Sequence, residues 1–190
     1  VKRVAGMYII MNKRGTYFFA DATVNVNPSA DDLLEIIRIT TDGVRFFGVE
    51  PRVAVLSYSN FGSSKGPIPD KTREAVRLAK QRMPDLIIEG DIQANVALDT
   101  ALQKEEYPFS ALAEEGANTL IFPNLESGNI SYKLMMEMGG AEAIGPILLG
   151  MKRPVHILQV GCSIREIVNM ASIAVVDAQR YVNLFESAKG

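Results

Sequence analysis

Residues 158–166, Leu-Gln-Val-Gly-Cys-Ser-Ile-Arg-Glu, gather the groups best suited to chemistry. Gly161 suits a tight turn, Cys162 is the only cysteine in the chain, and Ser163 and Glu166 have the spacing of a capping box. A turn that opens a helix presents backbone N–H groups, which can hold an anion or a thioester carbonyl. Cys162 ahead of that helix has the setting of an activated thiolate, although a buried, inert cysteine is the commoner case. His156 stands among Val155, Ile157 and Leu158 and reads as a hydrogen-bonded structural histidine rather than a base.

Three other stretches carry polar groups. The loop from Ser57 to Pro67 holds four serines, two glycines and a lysine. Ser57, Ser59, Gly62 and Ser63 could grip a phosphate or phosphopantetheine through hydroxyls and N–H groups, or the loop is simply a surface connection; it is not a Walker A sequence. Around Gly128-Asn129, Asn129 and Lys133 could meet an anion, or Asn129 caps a helix that starts near Ile130 while Tyr132 packs and Lys133 is solvated. Glu89 and Asp91 flank Gly90. Paired carboxylates can share a proton or hold magnesium, but Asp91 more often caps the following helix. No metal site is expected.

The whole chain limits these choices. At 190 residues, 47% hydrophobic and 22% charged, it can bury a sizeable core. A net charge of −2 and a pI of about 5.5 argue against a nucleic-acid partner, since phosphate binding needs a basic face. No apolar run approaches the ~18 residues of a membrane span. One cysteine forms no internal disulfide, which suits a reducing cytoplasm, and one histidine with one cysteine rules against a closed zinc site. The chain begins Val1-Lys2-Arg3-Val4 with neither a signal-peptide pattern nor an initiator methionine, the expectation for a piece of a longer protein.

Elements that would position these groups follow from hydrophobic patterning. Val4–Ile10 and Thr16–Ala20 read as a hairpin around Asn12-Lys13-Arg14-Gly15, adding an antiparallel edge, and Ala22–Val26 as a short extended piece. Ser29 caps a helix with Asp31 and Asp32 in its first turn. Strands are expected at Arg52–Ser57, Leu86–Ile88, Thr119–Phe122 and Ile144–Leu149. Helices are expected from Pro69 to Arg82, Ile92 to Lys104, about Ile130 to Met138, and from Ser163 to about Ser187 as one helix or two. Met135, Met136 and Met138 read as core or interface filler. Alternating strands and helices give an α/β fold, a mostly parallel sheet flanked by helices. The loops after Leu56, Ile88 and Phe122, with the loop at Gln159, are then candidates for one crevice beyond the strand ends.

Taken in order, several stretches resemble the phosphotransacetylase (phosphate acetyl/butyryl transferase) family. They are Arg52-Val-Ala-Val-Leu-Ser-Tyr-Ser59, Gly62-Ser63, Pro84-Asp-Leu-Ile-Ile-Glu-Gly-Asp-Ile-Gln93, residues 117–133 (Ala-Asn-Thr-Leu-Ile-Phe-Pro-Asn-Leu-Glu-Ser-Gly-Asn-Ile-Ser-Tyr-Lys), Gly145–Gly150 and Gly161-Cys162-Ser163. The resemblance implies an isocitrate/isopropylmalate dehydrogenase-like fold of two subdomains with the substrate cleft between them. Residues 1–155 would be the second subdomain, and residues 156–190 a loop and helices that pack on the first, mostly missing upstream. It also implies transfer of an acetyl group between coenzyme A and phosphate without a metal, and a homodimer or higher oligomer.

In active members of that family the last loop resembles S-R-G-C-S-x-x-D, the serine and arginine polarising the thioester carbonyl and the aspartate taking the thiol proton. Here Gln159, Val160 and Glu166 stand at those three places. Valine in place of arginine removes a fixed charge with bidentate donors. Asp91 and Asn95 also depart from the usual pattern. This altered loop resembles the C-terminal domain of large bacterial malic enzymes. By that resemblance the chain binds acetyl-CoA non-covalently, regulates a malic-enzyme domain in cis and mediates oligomerisation, without acetyltransferase activity of its own. Ser57, Ser59, Gly62, Ser63, Asn129, Lys133, Gly161, Cys162 and Ser163 would form its ligand site. NAD(P) and a divalent metal are expected only in the missing malic-enzyme domain. The alternatives are a working phosphate acetyltransferase and a purely structural dimerisation module.

Overall fold

The computed structural model describes residues 3–187, with side chains as far as Gln179. One sheet contains β1 (Ala5–Asn12), β2 (Gly15–Ala20), β3 (Arg52–Leu56), β4 (Ile87–Ile92), β5 (Thr119–Ile121) and β6 (Glu142–Leu149), in the order β4-β3-β5-β2-β1-β6. β2, β5, β3 and β4 pair in parallel, and β1 runs antiparallel to both of its neighbours, β2 and β6. Helices α1 (Ala30–Phe46), α2 (Pro67–Arg82), α3 (Ala94–Leu98), α4 (Thr100–Glu106), α5 (Leu125–Glu137) and α6 (Ile164–Ser187) flank it. The α/β class expected from the sequence is the one observed.

Period-two alternation divides the strands between two cores. Met7, Ile9, Phe18, Val53 and Val55 face α1 and α2, while Tyr8, Ile10, Phe19, Ala54 and Leu56 face α3 and α5. Leu33, Ile36 and Ile37 of α1 are wholly buried, each stabilising the fold by about 1.5–3 kcal/mol. α1 begins at Ser29, whose hydroxyl accepts from Asp32 N in a complete capping box. Met170 of α6 enters the α1 core.

Five expectations change. The opening hairpin is interior rather than an edge; the edges are β4 and β6. Residues 22–26 form no strand, because Asp21 accepts from the N–H groups of Thr23, Val24 and Asn25. The helix expected over Ile92–Lys104 breaks at Asp99, whose carboxylate accepts from Leu102 N and starts α4. Glu89, Gly90 and Asp91 lie within β4, so Asp91 caps no helix. α5 starts at Asn124, whose side chain accepts from Ser127 N, so Gly128 and Asn129 lie inside the helix.

Gly128 is needed there for close approach. A Cβ on it would lie 2.5 Å from the Asp21 carbonyl oxygen and 3.2 Å from Ala22 Cα. Both obstacles are backbone, so Gly128→Ala is expected to destabilise the full-length protein by about 1–3 kcal/mol, read as a lower denaturation midpoint.

Candidate functional site

The sheet order divides the expected crevice. β3, which leads into the Ser57 loop, and β6, which precedes the Gln159 loop, lie four strands apart, about 19 Å at ordinary strand spacing. After β6 the chain turns back along that edge strand, with His156 bridging to Ile147. Residues 155–158 therefore add one bridge rather than a seventh strand, and the Gln159 turn lies across the sheet edge.

At this edge the groups from 158–166 meet α5 and β1. Gln159 donates its side-chain amide to the Tyr8 hydroxyl at 3.0 Å. Tyr8 stacks on Tyr132 with ring centroids 4.1 Å apart, and burial together with Tyr132 pushes its phenol well above the ordinary value. Lys133 lies 5.9 Å from the Tyr132 ring centre. Asn129 does not cap α5; it donates to the Ala22 carbonyl at 3.3 Å. Nothing local in the sequence sets Tyr8 and Tyr132 apart from ordinary strand and packing residues.

The turn itself forms as its sequence directs. Gly161 takes φ +86, and Cys162 N donates to the Gln159 carbonyl at 3.2 Å. Glu166 N donates to Ser163 Oγ and Ser163 N donates to the Glu166 carboxylate at 2.6 Å, closing the capping box. The backbone N–H of Ser163, then its hydroxyl, holds the Glu166 carboxyl below the usual carboxylate range. Val160 is fully exposed. Cys162 is half-buried beside Gln159, Glu166 and Gly145, around a cleft of about 10 Å³, room for roughly one water. Among the described residues, the Val160 and Gly161 N–H groups have no hydrogen-bond partner.

The serine loop is organised around itself. Ser57 Oγ accepts from Ser59 N, Ser63 Oγ from Asn60 N, and the buried Ser59 Oγ from Ser64 N. Gly62 N donates at 3.0 Å to Asp91, whose other oxygen lies 3.2 Å from Arg73. Glu89 pairs with Lys80 at 2.9 Å and accepts from Ala111 N. The two carboxylates thus hold a loop and a helix in place. Asp91 is fully buried, so Arg73→Ala leaves its charge unpaired and is expected to destabilise the full-length protein by about 3 kcal/mol, measured by chemical denaturation. Among the described residues, no group of three His, Cys, Asp or Glu side chains is placed to hold a metal ion.

A groove of about 620 Å³ opens past the ends of β2, β3 and β5, lined by Asn27, Pro67, Lys71 and Asn124. Lys71 donates to Asn27 Oδ1 and to the Pro123 carbonyl, both at 2.9 Å, and burial lowers its pKa. This is the strand-end location where open α/β sheets bind ligands. Lys71 carries no signal in the sequence because its partners lie 44 and 52 residues away.

The sheet, its paired cores and the turn beyond β6 define an α/β domain of the phosphotransacetylase type. The phosphate acetyl/butaryl transferase family model matches residues 1–175, and the chain belongs to that family. A phosphate acetyltransferase of Clostridium acetobutylicum is 42% identical over 187 residues, 95% of this chain and 56% of that protein. An NADP-dependent malic enzyme of Escherichia coli is 42% identical over 180 residues, 94% of this chain and 24% of that protein. A phosphotransacetylase from Streptococcus pyogenes superposes with a TM-score of 0.87 at 36% identity, over 96% of this chain and 55% of that one. The chain therefore spans about half of the first relative and a quarter of the second. Among the described residues no helix is long and apolar enough to cross a membrane.

Proposed function

We propose that this chain is the phosphotransacetylase-like domain of a malic enzyme, where it binds acetyl-CoA, regulates the malic-enzyme domain in cis and mediates oligomerisation without transferring acetyl groups. The observation that carries this reading is the state of the Gln159–Glu166 turn. Gln159 is bonded to Tyr8, Val160 offers solvent an apolar side chain, and Glu166 serves the cap of α6. A general base works best with a pKa near the working pH; the Ser163 contacts move Glu166 the other way. The turn still offers the Val160 and Gly161 N–H groups, suited to a thioester carbonyl on its exposed side.

Calorimetric titration of acetyl-CoA into the full-length protein, beside an assay of acetyl phosphate formation, tests the reading. Saturable heat without turnover is expected. Turnover near that of a working transferase would replace it with the second reading, an active phosphate acetyltransferase. That alternative is supported by the equal 42% identity to an enzyme of that name. Neither heat nor turnover would leave a structural dimerisation module.

A further inference from the structure

A second cavity, of about 300 Å³, lies on the opposite face of the sheet, between α1, the end of β6 and α6. That is the lower end of the range for small-molecule sites, ~300–1,000 Å³. His156 faces it with a side chain only 4% exposed, and neither ring nitrogen has a hydrogen-bond partner. Its Nε2 is 3.4 Å from Asp177 Oδ2, close but without the alignment of a hydrogen bond. An imidazole so placed leaves donor and acceptor capacity unmet, which costs free energy unless something polar enters. This is where the sequence expectation of a hydrogen-bonded histidine fails.

We propose that this cavity is a binding site for a zwitterionic amino acid with an apolar side chain. The lining carries both signs: Arg38 and Arg153 with Asp42 and Asp177. Arg38 reaches Asp42 at 3.2 Å and Glu35 at 3.3 Å, so positive and negative groups stand side by side in the lining. A phosphorylated or purely anionic ligand would meet two carboxylates in the same space. A zwitterion satisfies both signs at once, its ammonium toward Asp177 and its carboxylate toward the arginine side. The remaining wall is apolar: Ile39, Phe46, Phe47 and Ile173. That surface fits an aromatic or branched aliphatic side chain. The cavity shares no lining residue with the cleft at Gln159 and Cys162, so the inference stands apart from acetyl-CoA binding.

The experiment is a thermal-shift and calorimetric titration of the full-length protein with L-phenylalanine and L-leucine. Saturable binding of at least one is expected. 3-Phenylpropionate, which lacks the ammonium, and phenethylamine, which lacks the carboxylate, should each bind about tenfold more weakly than L-phenylalanine, a difference of about 1.4 kcal/mol. Asp177→Asn should weaken amino-acid binding by a similar factor, and Ile173→Trp, which fills the cavity, should abolish it while acetyl-CoA titrations stay unchanged. Absence of saturable binding by both amino acids overturns the proposal. So does an analogue that binds as tightly as L-phenylalanine, or a folded Ile173→Trp protein that binds as before. Should either variant fail to fold, the analogue series on the unaltered protein decides alone.

Discussion

Replacing Asp21 by alanine is expected to lower the stability of the full-length protein more than either Gly128→Ala or Arg73→Ala. The carboxylate is almost wholly buried just after β2. One oxygen accepts from Gly6 N at 3.0 Å, Thr23 N at 2.9 Å and Val24 N at 3.1 Å; the other accepts from Asn25 N at 2.7 Å and from the Asn25 side chain. Alanine removes both oxygens and leaves four backbone donors unmatched, at about 1–3 kcal/mol for each that stays buried. A loss of about 4 kcal/mol or more is expected, against a total stability of ~5–15 kcal/mol for a typical domain. Asparagine keeps one oxygen but turns an N–H group toward the Asn25 donors, so about half that loss is expected. Lys13→Ala, in the exposed turn between β1 and β2, should stay within about 0.5 kcal/mol. Denaturation midpoints of the three variants check the ranking. The effect should reach the edge site, because α5 rests on the Asp21 carbonyl through Gly128 and carries the Tyr132 that stacks on Tyr8.

Asp21 also marks the boundary of what sequence patterning reveals. An aspartate after an apolar run reads as a turn residue, and nothing local says that it will collect N–H groups from residues 6 and 23–25. The strands are legible because apolar runs such as Val53-Ala54-Val55-Leu56 bury on both faces. Their order is not, since pairing joins residues distant in sequence. Even so, the unbroken apolar run of β1, buried from Ala5 to Ile10, is the pattern of a central strand rather than of an edge. Asn129 beside Gly128 reads as a helix start because glycine commonly interrupts helices, whereas this glycine serves close packing. At the site, the Ser163–Glu166 box is legible because its partners are three residues apart. The bond from Gln159 to Tyr8 spans 151 positions, and the unbonded state of His156 depends on where α6 places Asp177.

Placing on the turn the residues that the family resemblance implies tests the proposal that this loop does not support acetyl transfer. In the full-length protein, the triple replacement Gln159→Ser, Val160→Arg and Glu166→Asp is expected to raise acetyl phosphate formation from acetyl-CoA and phosphate by a factor of about 10² or more. That is the scale of one well-placed charge or oxyanion donor. Val160 is the dominant position: an arginine there would project from a fully exposed site with bidentate donors for a carboxylate-like or phosphate oxygen. Gln159→Ser cuts the tie to Tyr8 and gives the turn a hydroxyl. Glu166→Asp shortens the carboxylate by one methylene, and Asp32 shows that an aspartate three residues after a serine still closes such a cap, so the change shifts the carboxylate oxygens without undoing the start of α6. Val160→Arg alone should recover most of the gain, whereas Glu166→Asp alone should recover almost none, since a base removes the thiol proton but leaves the developing oxyanion without the cation that would balance it. Rates measured at saturating acetyl-CoA separate this from altered binding, because an effect confined to the transition state changes kcat without lowering KM. An unaltered protein that already turns over as fast as the triple variant would sink the idea that this loop gave up catalysis. A triple variant that binds acetyl-CoA and still makes no acetyl phosphate would place the loss elsewhere in the cleft.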